Sequence, residues 1–210
     1  PIDGEYGQSM LRLIESAART CYKSEGACTD TSAGPFVRKI AQVKKHVSVV
    51  EHANVTVRFI CDRGVTHELV RHRLAAYSQE STRYCNYSGD KFGKEITVIQ
   101  PPFWDTTDHC YCVWYQACKN AEDSYLALLA AGASAQEARS VLPNSLKTEI
   151  VMTANLREWC HVFTLRAAKE AHPQMQQLMR PLLAEFKRWL PELYDDIHPE
   201  IPSTETPQPC

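Results

Sequence analysis

The sequence predicts an α+β fold in one domain, and three observations predict it. Long segments carry apolar residues at helical spacing. Shorter runs alternate, or are rich in β-branched residues, as strands are. No internal repeat, low-complexity block or linker separates two cores. The 210 residues are 44% hydrophobic and 23% charged, which is the balance of a soluble globular chain with one real core.

The elements follow in order. Tyr6 to Cys21 is helical, with Leu11, Ile14, Ala18 and Cys21 on one face. Residues 26–34 are a loop, and Pro35 opens a second helix with Phe36, Ile40 and Val43 on its face. His46 to Glu51 is a polar link. Val55, Val57 and Phe59 alternate as a strand, and Asp62-Arg63-Gly64 is a turn signal. A short helix then carries Glu68, Arg71 and His72. Residues 86–93 are a loop, and Ile96 and Val98 mark a strand stopped by Pro101-Pro102. Thr107 to Ala131 is a long helix with the stripe Trp114, Ala117, Ala121, Tyr125 and Leu128, ended by Gly132. Ser134 and Glu137 form a capping box for a short helix that holds Arg139 and stops at Pro143. Thr148 to Thr153 is a strand. Asn155 and Glu158 form a second box, whose helix runs to about Arg166. The last long segment, Ala171 to Leu190, has Met175, Leu178, Met179, Leu182, Leu183, Phe186 and Leu190 on one face, and Pro181 should kink or split it. The domain is thus expected over residues 1–190, with a mobile Pro-rich tail over 191–210.

Net charge is −2, which argues against a general nucleic-acid or anionic-membrane binder. The nine cysteines lack the even spacing of a secreted disulfide framework and read as reduced thiols of a cytoplasmic protein. His109, Cys110, Cys112 and Cys118 fit no zinc pattern and read as buried thiols on one helix, so no metal is expected. His67 and His72 are five apart, not the four of a zinc-protease helix. There is no glycine cradle of the Rossmann or P-loop kind.

Chemistry concentrates in Arg71 to Tyr84, RHRLAAYSQESTRY. Three arginines, a histidine and several hydroxyls within fourteen residues suit an anionic ligand. Composition alone supports a solvated, salt-bridged helix end equally well. Arg166 lies three, four and seven residues beyond Phe163, Val162 and Trp159, on the apolar face of its helix. A guanidinium there needs a partner or a ligand, unless it bonds the last helix carbonyls.

Arg71-His72-Arg73, seven residues and Ser81 together resemble the RHR-x7-S signature of the flavin-dependent thymidylate synthases, the ThyX family. Arg83-Tyr84 also matches, as do His46-x-Ser48-x-x-Glu51-His52, Arg139 with Val141-Leu142-Pro143, and Asn155 through Leu165-Arg166. The resemblance implies a ThyX-type α+β domain with a small antiparallel sheet packed by helices, assembled as a homotetramer with shared active sites. It implies reductive methylation of dUMP to dTMP, with 5,10-methylenetetrahydrofolate as carbon donor and NADPH-reduced FAD as hydride carrier. Ser48, Arg71, His72, Arg73, Gln79, Asn155, Leu156, Arg157 and His161 would then hold FAD. Glu68, Leu69, Val70, Arg71, Gln79, Glu80, Ser81, Thr82, Arg83, Arg139 and Arg166 would line the dUMP site. Arg166 would be catalytic, stabilising negative charge on the uracil. Ser78-Gln79 stands where many members have Asn-Glu, and Glu68 where many have Gln. The altered pair motivates the alternative, a catalytically inactive nucleotide- and flavin-binding homologue.

Overall fold

In the computed structural model, residues 4–89 and 93–199 are described. The chain gathers into two compact units that interleave along the sequence. The first comprises Pro1–Thr56, His72–Ala76 and Thr153–Cys210; the second comprises Val57–Arg71 and Tyr77–Met152. The sequence shows one domain where the structure has two clusters. Three of the four unit changes fall inside strands, and the fourth, between Arg71 and His72, falls in a short link.

Those strands are β1 (Asn54–Asp62), β2 (Ala75–Gln79) and β3 (Lys147–Asn155), in the order β1-β3-β2. The Leu156 N–H donates to the Ala53 carbonyl and the Arg63 N–H to the Leu146 carbonyl. Numbers rise on one strand as they fall on the other, so β1 and β3 are antiparallel. On β3, Thr148, Ile150, Met152 and Ala154 are buried, while Lys147, Glu149, Val151, Thr153 and Asn155 are half-buried. One face of the central strand is core and the other is open. β3 falls where the β-branched run predicts it. β2, AAYSQ, has no counterpart among the expected strands. The second expected strand reduces to a single bridge between Val98 and Leu146.

In the first unit, α1 (Gly4–Thr20) buries Met10, Leu11, Ile14 and Ala18. Gly7 marks its close approach to the chain at Trp189: a Cβ there would lie 2.4 Å from the Trp189 carbonyl oxygen. α2 (Ala33–Arg38) runs on into a π turn, Lys39–Val43. Val37, Ile40 and Ala41 are buried, whereas Val43 is exposed, because the wider turn rotates it away. The expected polar link is a 3-10 turn, Val47–His52. α6 (Leu156–Arg166), α7 (Pro173–Trp189) and α8 (Pro191–Tyr194) complete the unit. Trp159, Phe163, Phe186 and Tyr194 form one aromatic cluster, with ring centroids 4.9 Å apart at the Phe163–Phe186 contact. Pro181 does not split α7. Both it and Gln177, whose carbonyl loses its donor, are exposed, so water can satisfy that carbonyl. Nor does a tail begin at Pro191. Pro191 sits at the first position of α8, where proline is favoured, and Leu193, Tyr194 and Ile197 are buried. Residues 200–210 of the expected tail lie outside the described residues.

In the second unit, α3 (Arg63–Leu69) begins where the turn signal was read. Asp62 caps it, accepting from the Val65 N–H at 2.7 Å. The helix ends at Leu69, so Arg71 and His72 lie beyond it in the link to β2, not on it as expected. α4 (His109–Ala130) buries Cys118, Glu122 and Tyr125. Ala117 is exposed, and so are Cys110 and Cys112 on the first turn; only Cys118 of the three thiols is buried. Gly132 follows α4 with φ +95°, the conformation a helix-ending glycine supplies. α5 (Ala135–Ala138) carries the full capping box, and a 3-10 turn, Arg139–Val141, holds Arg139. Tyr87, Ile96, Tyr125, Ala138 and Leu146 form this unit's core.

Candidate active site

The candidate residues divide between the units. In the first, α6 organises them. Its N-cap is Asn155, whose side-chain oxygen accepts from the Glu158 N–H at 2.8 Å. The return half of the expected box is not made. Glu158 instead turns its carboxylate to His72, with Oε1 3.2 Å from Nδ1. His72 is 4% exposed and Glu158 is 7% exposed. On the other side of the imidazole, Arg166 Nε donates to His72 Nε2 at 3.1 Å. The partner that Arg166 requires on an apolar face is therefore His72. His161 stands edge-on to the same ring, 5.5 Å between centroids. Ligand atoms of His72, Glu158 and His161 lie within 4.8 Å of one another, a span a cation could bridge. Both His72 nitrogens are already committed to hydrogen bonds, so the group is a relay rather than a ligand set.

The rest of this unit's candidates surround the relay in sequence. Arg157 is exposed and bonds Glu51 at 2.5 Å, which ties α6 to the turn that carries exposed Ser48. Arg73 is exposed. Leu156 is fully buried; its N–H donates to Ala53 and its carbonyl accepts from the Tyr194 hydroxyl. Its side chain is thus core, and it offers a ligand nothing but proximity.

In the second unit, Leu69 is fully buried and its carbonyl accepts from the Tyr77 hydroxyl at 2.7 Å. Glu68 is half-buried, while Val70 and Arg71 are exposed just past α3. Gln79 points to the buried side of the sheet, donating to Thr66 Oγ1 at 3.0 Å. Residues 81–85 make a tight turn: the Ser81 carbonyl accepts from the Tyr84 and Cys85 N–H groups, and Ser81 Oγ accepts from the Arg83 N–H at 3.3 Å. Thr82 is buried and accepts from Arg139 at 3.4 Å, which brings Arg139 to this turn. Arg83 is exposed, over the ring of Tyr84. Serine, threonine and two arginines thus converge on one turn, a donor set suited to phosphate.

Glu80 has partners of its own. It accepts from the Tyr87 hydroxyl at 3.0 Å and pairs with Lys147 at 3.4 Å. These groups line a cavity of about 650 Å³ on the open face of the sheet, with Arg58, Glu149 and Glu95. Three carboxylates against two cations make that cavity a poor phosphate site. Burial, and then the Glu80 charge, push the Tyr87 hydroxyl pKa up. Cys61 on β1 is pushed up to about 12, by burial and then by the Asp62 charge, so it carries no thiolate at neutral pH.

Sequence reasoning missed Glu158, which reads as a capping partner. The available signal was its row: Glu158, Val162 and Arg166 stand four apart on one helix face.

A family model described as thymidylate synthase complementing protein matches residues 5–192. The chain belongs to this family. Members similar to it include the flavin-dependent thymidylate synthase of Geobacter sulfurreducens, 36% identical over 195 residues, covering 89% of this chain and 81% of that one. The enzyme of the same name from Mycobacterium tuberculosis is 33% identical over 203 residues, covering 88% and 78%. The match to the thymidylate synthase complementing proteins takes in the relay, the turn at Ser81 and the first two residues of α8, so it draws on both units. Among the described residues, no helix is long and apolar enough to cross a membrane.

Proposed function

We propose that the chain is a flavin-dependent thymidylate synthase. It methylates dUMP reductively to dTMP, with methylenetetrahydrofolate as carbon donor and FAD, reduced by NADPH, as hydride carrier. Family membership and the names of relatives that cover most of the chain support a flavin-dependent thymidylate synthase. The single observation that carries the chemistry is Arg166, half-buried at the end of α6 and held through Nε by a buried imidazole.

The donor chemistry fits a flavin dinucleotide. Arg71, Arg73 and Arg157 present exposed guanidinium groups suited to a pyrophosphate, and Ser48 and His161 are exposed as well. Asn155 spends its side-chain oxygen on the helix cap and keeps amide N–H groups to donate. The flavin, when bound, supplies hydride and one-carbon transfer. Arg166 does not transfer a proton, because a guanidinium stays charged. It sets a fixed cation against a pyrimidine ring that gains negative charge, and such preorganised charge lowers the barrier without reorganisation. Ser81, Thr82, Arg83 and Arg139 bind the nucleotide phosphate, and no protein nucleophile is needed. Leu74 and Tyr84, 72% and 80% exposed beside the motif, suit burial against further copies of the chain in a homotetramer.

The test is a dUMP-dependent tritium-release assay with FAD, NADPH and methylenetetrahydrofolate. Release that requires all four is expected. A flavin-loaded protein that releases none overturns the proposal.

A further inference from the structure

Three observations meet at His72. Its ring is buried, Arg166 Nε is 3.1 Å from its Nε2, and Glu158 Oε1 is 3.2 Å from its Nδ1. An arginine Nε–H is a donor at every pH a folded protein meets. Nε2 must therefore accept, which an imidazole does only when neutral with its proton on Nδ1. That Nδ1–H is the proton Glu158 Oε1 receives. The bonds run one way, from Arg166 to His72 to Glu158. The charged and titratable groups that α6 turns toward His72 are Glu158, His161 and Arg166.

We propose that Glu158 fixes the tautomer of His72 and, through it, the plane of the Arg166 guanidinium. Glu158 and His72 are positioning residues for the arginine that acts on substrate. The inference rests on the reading of Arg166 given above. The logic is that of an outer carboxylate orienting an imidazole, which in turn orients the working group. Because Arg166 is tied through Nε, its two terminal amino groups are not consumed by the bond. Burial pushes the Glu158 carboxyl pKa up, and the His161 charge only partly opposes this. In either charge state its carbonyl-type oxygen can accept from Nδ1–H.

The test begins with the unaltered protein. In ¹⁵N-histidine NMR, with the His72 resonances assigned by their loss in His72→Gln, Nδ1 should appear as a protonated, pyrrole-type nitrogen and Nε2 as an unprotonated one. An imidazolium, or a proton on Nε2, overturns the proposal. Glu158→Gln keeps an acceptor for Nδ1–H and should retain the tautomer and kcat within a few-fold. Glu158→Leu, similar in size without an acceptor, should mix the tautomers and lower kcat on the order of 10²-fold, the scale of a misplaced reacting group. The dUMP KM and flavin content should hold. Parental kcat in Glu158→Leu overturns the proposal, and if that variant does not fold, the spectrum of the unaltered protein decides. The spectrum needs no turnover, so a protein with this tautomer but no synthase reaction separates failure of the function from failure of the relay.

Discussion

Glu122 and Glu158 are buried to the same 7% exposure, one in each unit, yet their carboxyls shift in opposite directions. For Glu122, burial pushes the pKa up, but the Lys119 hydrogen bond, the Ile96 N–H at 2.8 Å and the Lys119 charge outweigh it and hold the carboxyl below the ordinary range. For Glu158, burial wins, since the imidazole it faces is neutral and only the His161 charge opposes. Depth alone does not set a buried carboxylate's state. A permanent cation and a committed amide make Glu122 a fastener. A neutral imidazole leaves Glu158 as an acceptor whose value lies in orientation, at some expense in stability.

The contrast can be broken at its functional end first. Arg166→Ala should lower kcat by roughly 10²- to 10³-fold, the effect of deleting a preorganised charge, while flavin absorbance of the purified protein is retained. Steady-state turnover and the visible spectrum check this; near-parental turnover would make the relay a packing device like its counterpart. Next in size, Glu122→Ala strands the Ile96 N–H in a core position and should destabilise by about 1–3 kcal/mol in urea unfolding. Wild-type stability in that variant would remove the fastener from the comparison.

The two sites should also part company with pH. Glu122's folded pKa is depressed, so its stabilisation is present above the unfolded glutamate pKa of about 4.3 and is lost as pH falls through the folded value. Glu158's folded pKa is raised, so folding favours its protonated form below about 4.3, and that advantage is lost as pH rises through the folded value. Glu122→Gln should therefore flatten the acid limb of the stability curve, measured as Tm against pH. The smallest effect is expected for Glu158→Gln. It removes a buried charge that faces a neutral imidazole and keeps the acceptor, so stability at pH 7 should be unchanged or higher within about 0.5 kcal/mol. A loss of several kcal/mol would mean the charge itself holds the fold.

How far the sequence carried follows from what each feature depends on. α1, α4, α6 and α7 were legible because periodicity is a local property. β2 was not, because AAYSQ is an edge strand whose polar residues read as loop. α8 was hidden by prolines that read as breakers, while its order comes from burying Leu193 and Tyr194. Fixed spacing marked Arg71, His72, Arg73 and Ser81. The local row placed Glu158 on the face of Arg166, but its bond to a histidine 86 positions earlier is made by tertiary packing.

The central place of β3 also has a consequence for synthesis. Thr56 of β1 meets Thr153 across 97 positions, and Gln79 at the end of β2 meets Thr148 across 69. Both edge strands emerge from the ribosome well before the strand that joins them. At typical elongation rates of about 5–20 residues per second, β2 waits on the order of several seconds with its backbone unpaired by β3. During that interval the nascent chain offers two unclosed strand edges. The charged and polar groups on them, Arg58 and Ser78, act as its guard against pairing with a neighbour's.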